Sequence, residues 1–261
     1  MDNTINIFGI EIYYYAIIMA IAILVGIDLA RRWWKKNNLD ENVFDNMIFY
    51  LIIFAFIGAR TWYVLFSSNL DYYFSNPINI INLREGGLAI HGAMVGGLCT
   101  ILYFSKKYKI PFLKITDIAT PCLMLGQVIG RWGNFMNQEA HGPQTSYEFL
   151  TNTLHLPNFI VEGMNIGGIY YHPTFLYESV WNLLGFIIIY TLIRKISMPT
   201  GMVTAFYLIW YGFIRSLIEI LRTDALYLGG IKIAQLTSFS MLIAGIVLIV
   251  IIKRRKNENS N

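Results

Sequence analysis

Seven stretches of this chain are almost wholly apolar: residues 10–30, 46–66, 88–104, 115–130, 175–193, 201–221 and 236–252. A helix that crosses a bilayer needs about 20 mostly apolar residues to span ~30 Å of hydrocarbon, and each stretch meets that length or nearly so. The fourth is the weakest, since it holds Asp117 and Pro121. The pattern predicts an all-α integral membrane protein of seven transmembrane helices, one polytopic domain over 1–261. Between the fourth and fifth spans lies the longest connection, 131–174, predicted as a loop. No room is left for a soluble domain beyond the connections.

Composition agrees. The 261 residues are 56% hydrophobic and 14% charged, where a soluble domain carries roughly a quarter charged residues. The segment leading into the first span holds Asp2 and Glu11 but no Lys or Arg, the reverse of a secretory signal's basic start. The two cysteines, Cys99 and Cys122, fall inside the third and fourth spans as small buried hydrophobes. No cysteine pair stands at metal-ligand spacing, and no nucleic-acid partner is expected.

Charge gives the orientation. Arg31, Arg32, Lys35, Lys36, Lys106, Lys107, Lys109, Lys114, Arg194, Lys195, Lys253, Arg254, Arg255 and Lys256 all fall on one side of a seven-span arrangement. The positive-inside rule makes that side cytoplasmic, so the N-terminus is predicted outside and the C-terminus inside. The remaining cations are Arg60, Arg84, Arg131, Arg215, Arg222 and Lys232. Arg60 and Arg215 lie within spans, near the outer end; the others lie in outer connections or at their borders. Cations there run against the insertion bias, and charge within a span costs several kcal/mol. One reading makes them internal ion pairs that hold helices together. The other uses the planar guanidinium fork to bind phosphate or carboxylate.

The local patterns gather polar chemistry on the same outer side. The fourth span closes with Gly130-Arg131-Trp132-Gly133-Asn134-Phe135-Met136-Asn137-Gln138-Glu139, followed by His141-Gly142-Pro143. Glycines end helices and admit close backbone approach, but a plain helix end needs far fewer polar side chains than this. The third span is entered through Glu85-Gly86-Gly87 and carries His91 one turn in, with Gly92, Gly96 and Gly97 nearby. Small residues there let another helix or a ligand approach. Imidazole in that place suits a general base or a structural donor equally. Arg215, Glu219 and Arg222 stand at i, i+4 and i+7 on one helical stripe. That stripe is either a salt-bridge ladder or a pair of arginines held apart by a carboxylate. His172-Pro173 with Tyr177-Glu178 opens the fifth span, and Tyr13-Tyr14-Tyr15 the first. Tyrosines at that level are commonly interface anchors. With the polar clusters in the outer third, an anionic membrane-resident substrate bound in the outer leaflet is expected.

Taken together, these motifs resemble those of bacterial prolipoprotein diacylglyceryl transferases, nearly end to end. Gly130-Arg131-Trp132-Gly133-Asn134-Phe135-Met136-Asn137-Gln138-Glu139-Ala140-His141-Gly142 is similar to that family's signature G-R-x-G-N-F-x-N-x-E-x-x-G. Gly58-Ala59-Arg60 with Tyr63, His91-Gly92, His172-Pro173 with Tyr177-Glu178, and the Arg215/Glu219/Arg222 stripe follow in order. The family's H-G-G is here His91-Gly92-Ala93, and its late G-Q is Ala234-Gln235; each difference adds one methyl group.

The resemblance implies an enzyme of the bacterial cytoplasmic membrane with its active site facing outward. It would move the diacylglyceryl group of phosphatidylglycerol to the lipobox cysteine thiol of a prolipoprotein signal peptide. A thioether forms, glycerol phosphate leaves, and neither metal nor organic cofactor is needed. It implies that Arg131 and Arg215 hold the lipid phosphate, and that Asn134 and Asn137 donate to headgroup or peptide oxygens. Glu219 and Arg222 would orient Arg215. His91 is the candidate base and Tyr15 lines the site. Glu139 and Arg60 complete the binding residues, and Gly142 shapes the loop above. A transporter would show an internal repeat and polar breaks at the midplane; neither is seen. A retinal-type sensor would carry a Lys in the seventh span, and none is present.

Overall fold

The computed structural model describes residues 3–67, 69–82, 86–223, 227–228 and 231–258. Asp2, Arg84 and Glu85, named above, lie outside the described residues. In chain order the elements begin with strands β1 (Thr4–Ile7) and β2 (Ile10–Tyr13), then helices α1 (Tyr14–Lys36) and α2 (Glu41–Leu65). Two short helices follow, α3 (Leu70–Ser75) and α4 (Ile78–Ile81), and then α5 (Ile90–Tyr108) and α6 (Phe112–Met136). Beyond them come β3 (Gln144–Thr145), a π-helical turn at Phe149–Thr153, α7 (Asn158–Gly163), β4 (Asn165–Ile166) and β5 (Ile169–Tyr171). The chain closes with α8 (Thr174–Lys195), α9 (Met202–Leu221), β6 (Tyr227–Leu228), β7 (Ile231–Lys232) and α10 (Ile233–Glu258).

Seven helices of 19 residues or more occur among the described residues, one over each predicted span. Six of them, α1, α2, α6, α8, α9 and α10, are long and apolar enough to cross a membrane. The exception is α5. It has 19 residues, and His91, three glycines and the Lys106-Lys107 pair dilute its apolar content. By contrast α6, the span weakened in sequence by Asp117 and Pro121, is a 25-residue helix that runs on through its proline. Large apolar side chains such as Leu24, Phe56 and Ile243 are more than half exposed on these helices, as lipid-facing positions are.

The chain forms two compact units, Met1–Ala30 with Thr116–Asn261, and Arg31–Ile115. In the smaller unit α2 and α5 cross at glycines. A Cβ at Gly92 would run into the Gly58 carbonyl, and one at Gly96 into the Phe54 carbonyl. The space left by these small residues is thus filled by a helix, the packing mode of membrane bundles. Nothing lies within 4 Å of a Cβ at Gly97. Gly92→Ala is therefore expected to destabilise by about 1–3 kcal/mol, the usual cost of overpacking, and Gly97→Ala to change little. Thermal unfolding of the two variants in detergent checks this; equal melting temperatures would refute the crossing.

The larger unit is centred on α6, α8, α9 and α10. Trp181 and Trp210 stack at 4.6 Å and each donates its indole N–H to the other's carbonyl. Asp117 is satisfied rather than stranded: its carboxylate accepts from the Gly201 and Thr204 amides at 2.6 and 2.8 Å and from the Thr204 hydroxyl at 2.7 Å. It thereby caps the start of α9 from a neighbouring helix, where free amides and the positive dipole end favour an anion.

The connection predicted as a loop over 131–174 has structure of its own. α6 continues to Met136, so Gly130 and Gly133 lie inside a helix and do not end it. Their missing Cβ atoms make room for a neighbour: one at Gly133 would lie 2.7 Å from the Tyr15 ring, and one at Gly130 3.3 Å from the Met19 sulfur. The helix gives way instead at Gln138, with φ of 51°. Beyond it, Phe135, Leu150, Ile160, Val161, Met164 and Phe175 form a small buried core. Strands β3, β5 and β4 make an antiparallel sheet in that spatial order.

Candidate active site

Three helices of the larger unit bring their charged residues to one point. Glu178, near the start of α8, is only 2% exposed in its side chain. Its Oε1 accepts from Arg131 Nη2 at 2.5 Å, and its Oε2 from Arg215 Nη1 at 3.3 Å. Arg215 Nη2 stands 2.8 Å from Oε2 of Glu219, one turn along α9. That contact is out of line for a hydrogen bond, since Oε2 has no directed donor, and it acts as a plain ion pair. The Tyr211 hydroxyl is a further neighbour of Arg131.

The arrangement has a front and a back. Both carboxylates are 2% exposed, whereas the Arg131 and Arg215 side chains are 19% and 13% exposed. Each guanidinium has five N–H donors in a planar fork. The carboxylates, Asn134 and Tyr211 use only part of the two sets. Buried acids thus hold cations that are themselves partly exposed.

A second chain of contacts continues from Arg131 along the C-terminal end of α6. Arg131 Nη1 donates to Asn134 Oδ1 at 3.1 Å, and Asn134 Nδ2 donates to Glu139 Oε1 at 2.9 Å. Asn137 reaches the same oxygen at 3.4 Å. This is possible because the chain reverses after Met136, with Gln138 and Ala140 both at positive φ. Tyr15 packs its ring on Gly133 and lies within electrostatic reach of Glu139 and Arg131. Gly142 donates its amide to the His172 carbonyl at 2.9 Å, and His172 returns its own amide to the Pro143 carbonyl at 3.0 Å. A Cβ at Gly142 would sit 2.8 Å from the His172 Cβ, so glycine allows this pairing. His172 Nδ1 lies 3.1 Å from the Tyr177 hydroxyl, and partial burial holds its imidazole pKa below the ordinary value. It therefore stays neutral at physiological pH.

Thus Tyr15, Arg131, Asn134, Asn137, Glu139, Gly142, Arg215 and Glu219 all belong to the larger unit; the contacts above link all of them except Gly142, which is tied to His172. Arg222 caps the C-terminal end of α9, and its carbonyl and that of Glu219 accept from Lys232 Nζ at 3.0 and 2.6 Å. Lys232, an outer cation by sequence, so satisfies acceptors that a helix end leaves open.

Arg60 and His91 belong to the smaller unit. Arg60 is buried, and four of its N–H groups donate to main-chain carbonyls: Ile80 at 2.7 Å, Asn79 at 2.6 Å, Gly86 at 2.8 Å and Gly87 at 2.9 Å. The Tyr63 and Tyr73 rings lie 5.5 and 5.7 Å from its guanidinium carbon. These donors are spent on the segment that leads into α5. His91, in the first turn of α5, is exposed and stacks on Trp62 at 6.2 Å. A groove of about 550 Å³ along α2 and α5 is apolar apart from its tyrosines, Thr100 and Lys107, and shares no residue with the polar cluster.

Sequence reasoning passed over Glu178 as a site residue. The signal was present: a carboxylate within an apolar helix requires a buried cation, and two arginines were available on other helices.

A family model described as prolipoprotein diacylglyceryl transferase matches residues 3–251. A Bacillus cytotoxicus protein named phosphatidylglycerol–prolipoprotein diacylglyceryl transferase is 45% identical over 250 residues, 96% of this chain and 90% of its own length. Proteins of the same name from Bacillus cereus (strain 03BB102) and Bacillus thuringiensis subsp. konkukian are 45% identical over 245 residues, 94% of this chain and 88% of theirs.

Proposed function

The chain belongs to the prolipoprotein diacylglyceryl transferase family, and from that premise we propose how its residues carry out the transfer. The protein is a multi-pass membrane transferase. It moves the diacylglyceryl group of phosphatidylglycerol to the lipobox cysteine thiol of prolipoproteins, the first step in bacterial lipoprotein maturation. In this reading residues 1–261 form one domain of the cytoplasmic membrane. Seven spans, α5 included, leave the N-terminus outside, the C-terminus inside and the site facing outward. The fourteen cations of the inner connections support that orientation.

The observation that carries the reading is the pair of guanidiniums on one buried carboxylate. Arg131 and Arg215 bind the phosphate of the lipid with their free donors. Glu178 and Glu219 fix them from behind, and Arg222 supports Arg215 from the end of α9. Asn134 and Asn137, tied to Glu139, set the rim that meets the headgroup or the peptide, with Tyr15 and Gly142 shaping its walls.

His91 takes the thiol proton. The thiolate attacks the glyceryl carbon that bears the phosphate, the C–S bond forms, and the C–O bond breaks with its electron pair going to the departing glycerol phosphate. Fixed cations at that phosphate stabilise the charge as it develops. The thiolate is the reactive form of cysteine, so proton removal and phosphate stabilisation are separate tasks for separate residues.

Arg131→Lys tests the phosphate role. Lysine keeps the charge but lacks the planar fork, so it cannot bridge Glu178, Asn134 and a phosphate together. Transfer to a lipobox peptide, followed by mass spectrometry, is expected to fall by at least about ten-fold, the effect of one charge-assisted hydrogen bond. Turnover within two-fold of the parent at equal protein level would mean that charge alone suffices and that the fork has no role.

A further inference from the structure

Below the arginine cluster lies a polar layer that the ion pairs do not account for. The inner stripe of α8 reads Glu178, Asn182, Gly185 and Ile189, all buried and at helical spacing. Glu178 faces Arg131 and Arg215, while Gly185 packs against Met124 and the Trp210 indole. Asn182 stands between these two levels. Gln127 holds the same level on α6, one turn from Arg131 and within one turn of Met124. Tyr207 and Tyr211 of α9 stack at 5.6 Å, and Gln127 Nε2 lies 2.9 Å from the Tyr207 hydroxyl.

Three polar atoms of this layer have no hydrogen-bond partner among the described residues: Gln127 Oε1 and both Nδ2 and Oδ1 of Asn182. Asn182 is 0% exposed. Burying an amide without a partner is costly, and in hydrocarbon no water competes to relieve it. Gln127 and Tyr211 are only half-buried, so the layer's partial exposure lies on α6 and α9 while Asn182 is wholly buried. Amide oxygen and nitrogen can be interchanged. Gln127 can therefore accept from Tyr207 and present its N–H₂ as a donor.

A glycerophospholipid whose phosphate sits on Arg131 and Arg215 carries its acyl-ester carbonyls a few bonds deeper in the membrane. One helical turn is about 5.4 Å, which is the depth of this layer below the arginines. An ester carbonyl is an acceptor, and the layer offers amide donors that the protein leaves unused. We propose that Asn182 and Gln127 form the acyl-ester subsite of the donor lipid, with Asn182 Nδ2 donating to an ester carbonyl while the arginines hold the phosphate. The proposal rests on the phosphate assignment above and adds a determinant for the linkage between glycerol and chain.

The test compares diester phosphatidylglycerol with its dialkyl-ether counterpart of matched chain length, each in mixed micelles with a lipobox peptide. The wild type is expected to favour the diester in kcat/KM by roughly three- to ten-fold, the effect of a hydrogen bond to a neutral acceptor. In Asn182→Leu that ratio should fall close to one. Gln127→Met, at a half-buried position and of similar volume, should lower it too and carries the test if the first variant does not fold. A wild-type ratio near one would overturn the proposal. So would equal slowing of both lipids in the variants, which would mean that the layer is structural or holds only water. If the wild type transfers from neither lipid, the arginine assignment falls and this proposal with it.

Discussion

Glu178→Gln will cost the protein both stability and turnover. The side chain is 2% exposed and bonds guanidiniums on two other helices. Glutamine keeps the shape but removes the charge, leaving Arg131 and Arg215 side by side with Glu219 as the remaining carboxylate paired to either of them among the described residues. Breaking a buried ion pair by removing one partner destabilises by about 3–5 kcal/mol, and misplacing a binding group by about 1 Å can cost on the order of 10² in rate. A lowered melting temperature in detergent and a transfer rate down on that scale are expected together. Glu178→Asp, which keeps the charge on a shorter arm, should recover part of the stability and less of the rate. Unchanged melting and turnover in Glu178→Gln would show that the arginines are held by other groups.

The other large effect is at His91. If it removes the thiol proton, His91→Asn will slow transfer by on the order of 10²–10⁴ at neutral pH, the range for a positioned base. The defect will then shrink as pH rises toward ~9, because a thiol of pKa about 8.5 ionises unaided. Arg131→Ala will show no such recovery, since alkali supplies no cation. Rates across that pH range for the wild type and both variants decide the point. A large defect in His91→Asn that stays constant with pH would make the imidazole a structural donor, and nearly normal neutral activity would remove it from the mechanism.

Much of this was legible in the sequence, and for identifiable reasons. The seven long helices follow the seven apolar runs because lipid-facing helices need apolar side chains all round. The arginine cluster was legible because arginine and asparagine within apolar helices have few other uses. Three things were hidden. Gly130 and Gly133 read as helix breakers, but their role depends on Tyr15 and Met19 packing from another helix. The strands β3, β4 and β5 have two or three residues each, too few to leave an alternating pattern. Arg60 read as a ligand-binding cation because its actual partners are main-chain carbonyls, which every residue possesses and no sequence displays.

That last feature bears on which changes the segment before α5 can absorb. A guanidinium that takes the carbonyls of Asn79 and Ile80 does not read their side chains. Substitution at Ile80 should pass almost unnoticed, while at Asn79 it costs the bond that Nδ2 donates to the Tyr72 hydroxyl at 2.7 Å. Gly86 and Gly87 are held more strictly, with φ of 78° and 85°, and a Cβ at Gly87 would press on the Tyr63 ring. Deleting Gly86 or Gly87 would remove a carbonyl that the fork holds and leave part of a buried charge unsatisfied. Drift should therefore be free in spelling at Ile80 but not at the two glycines.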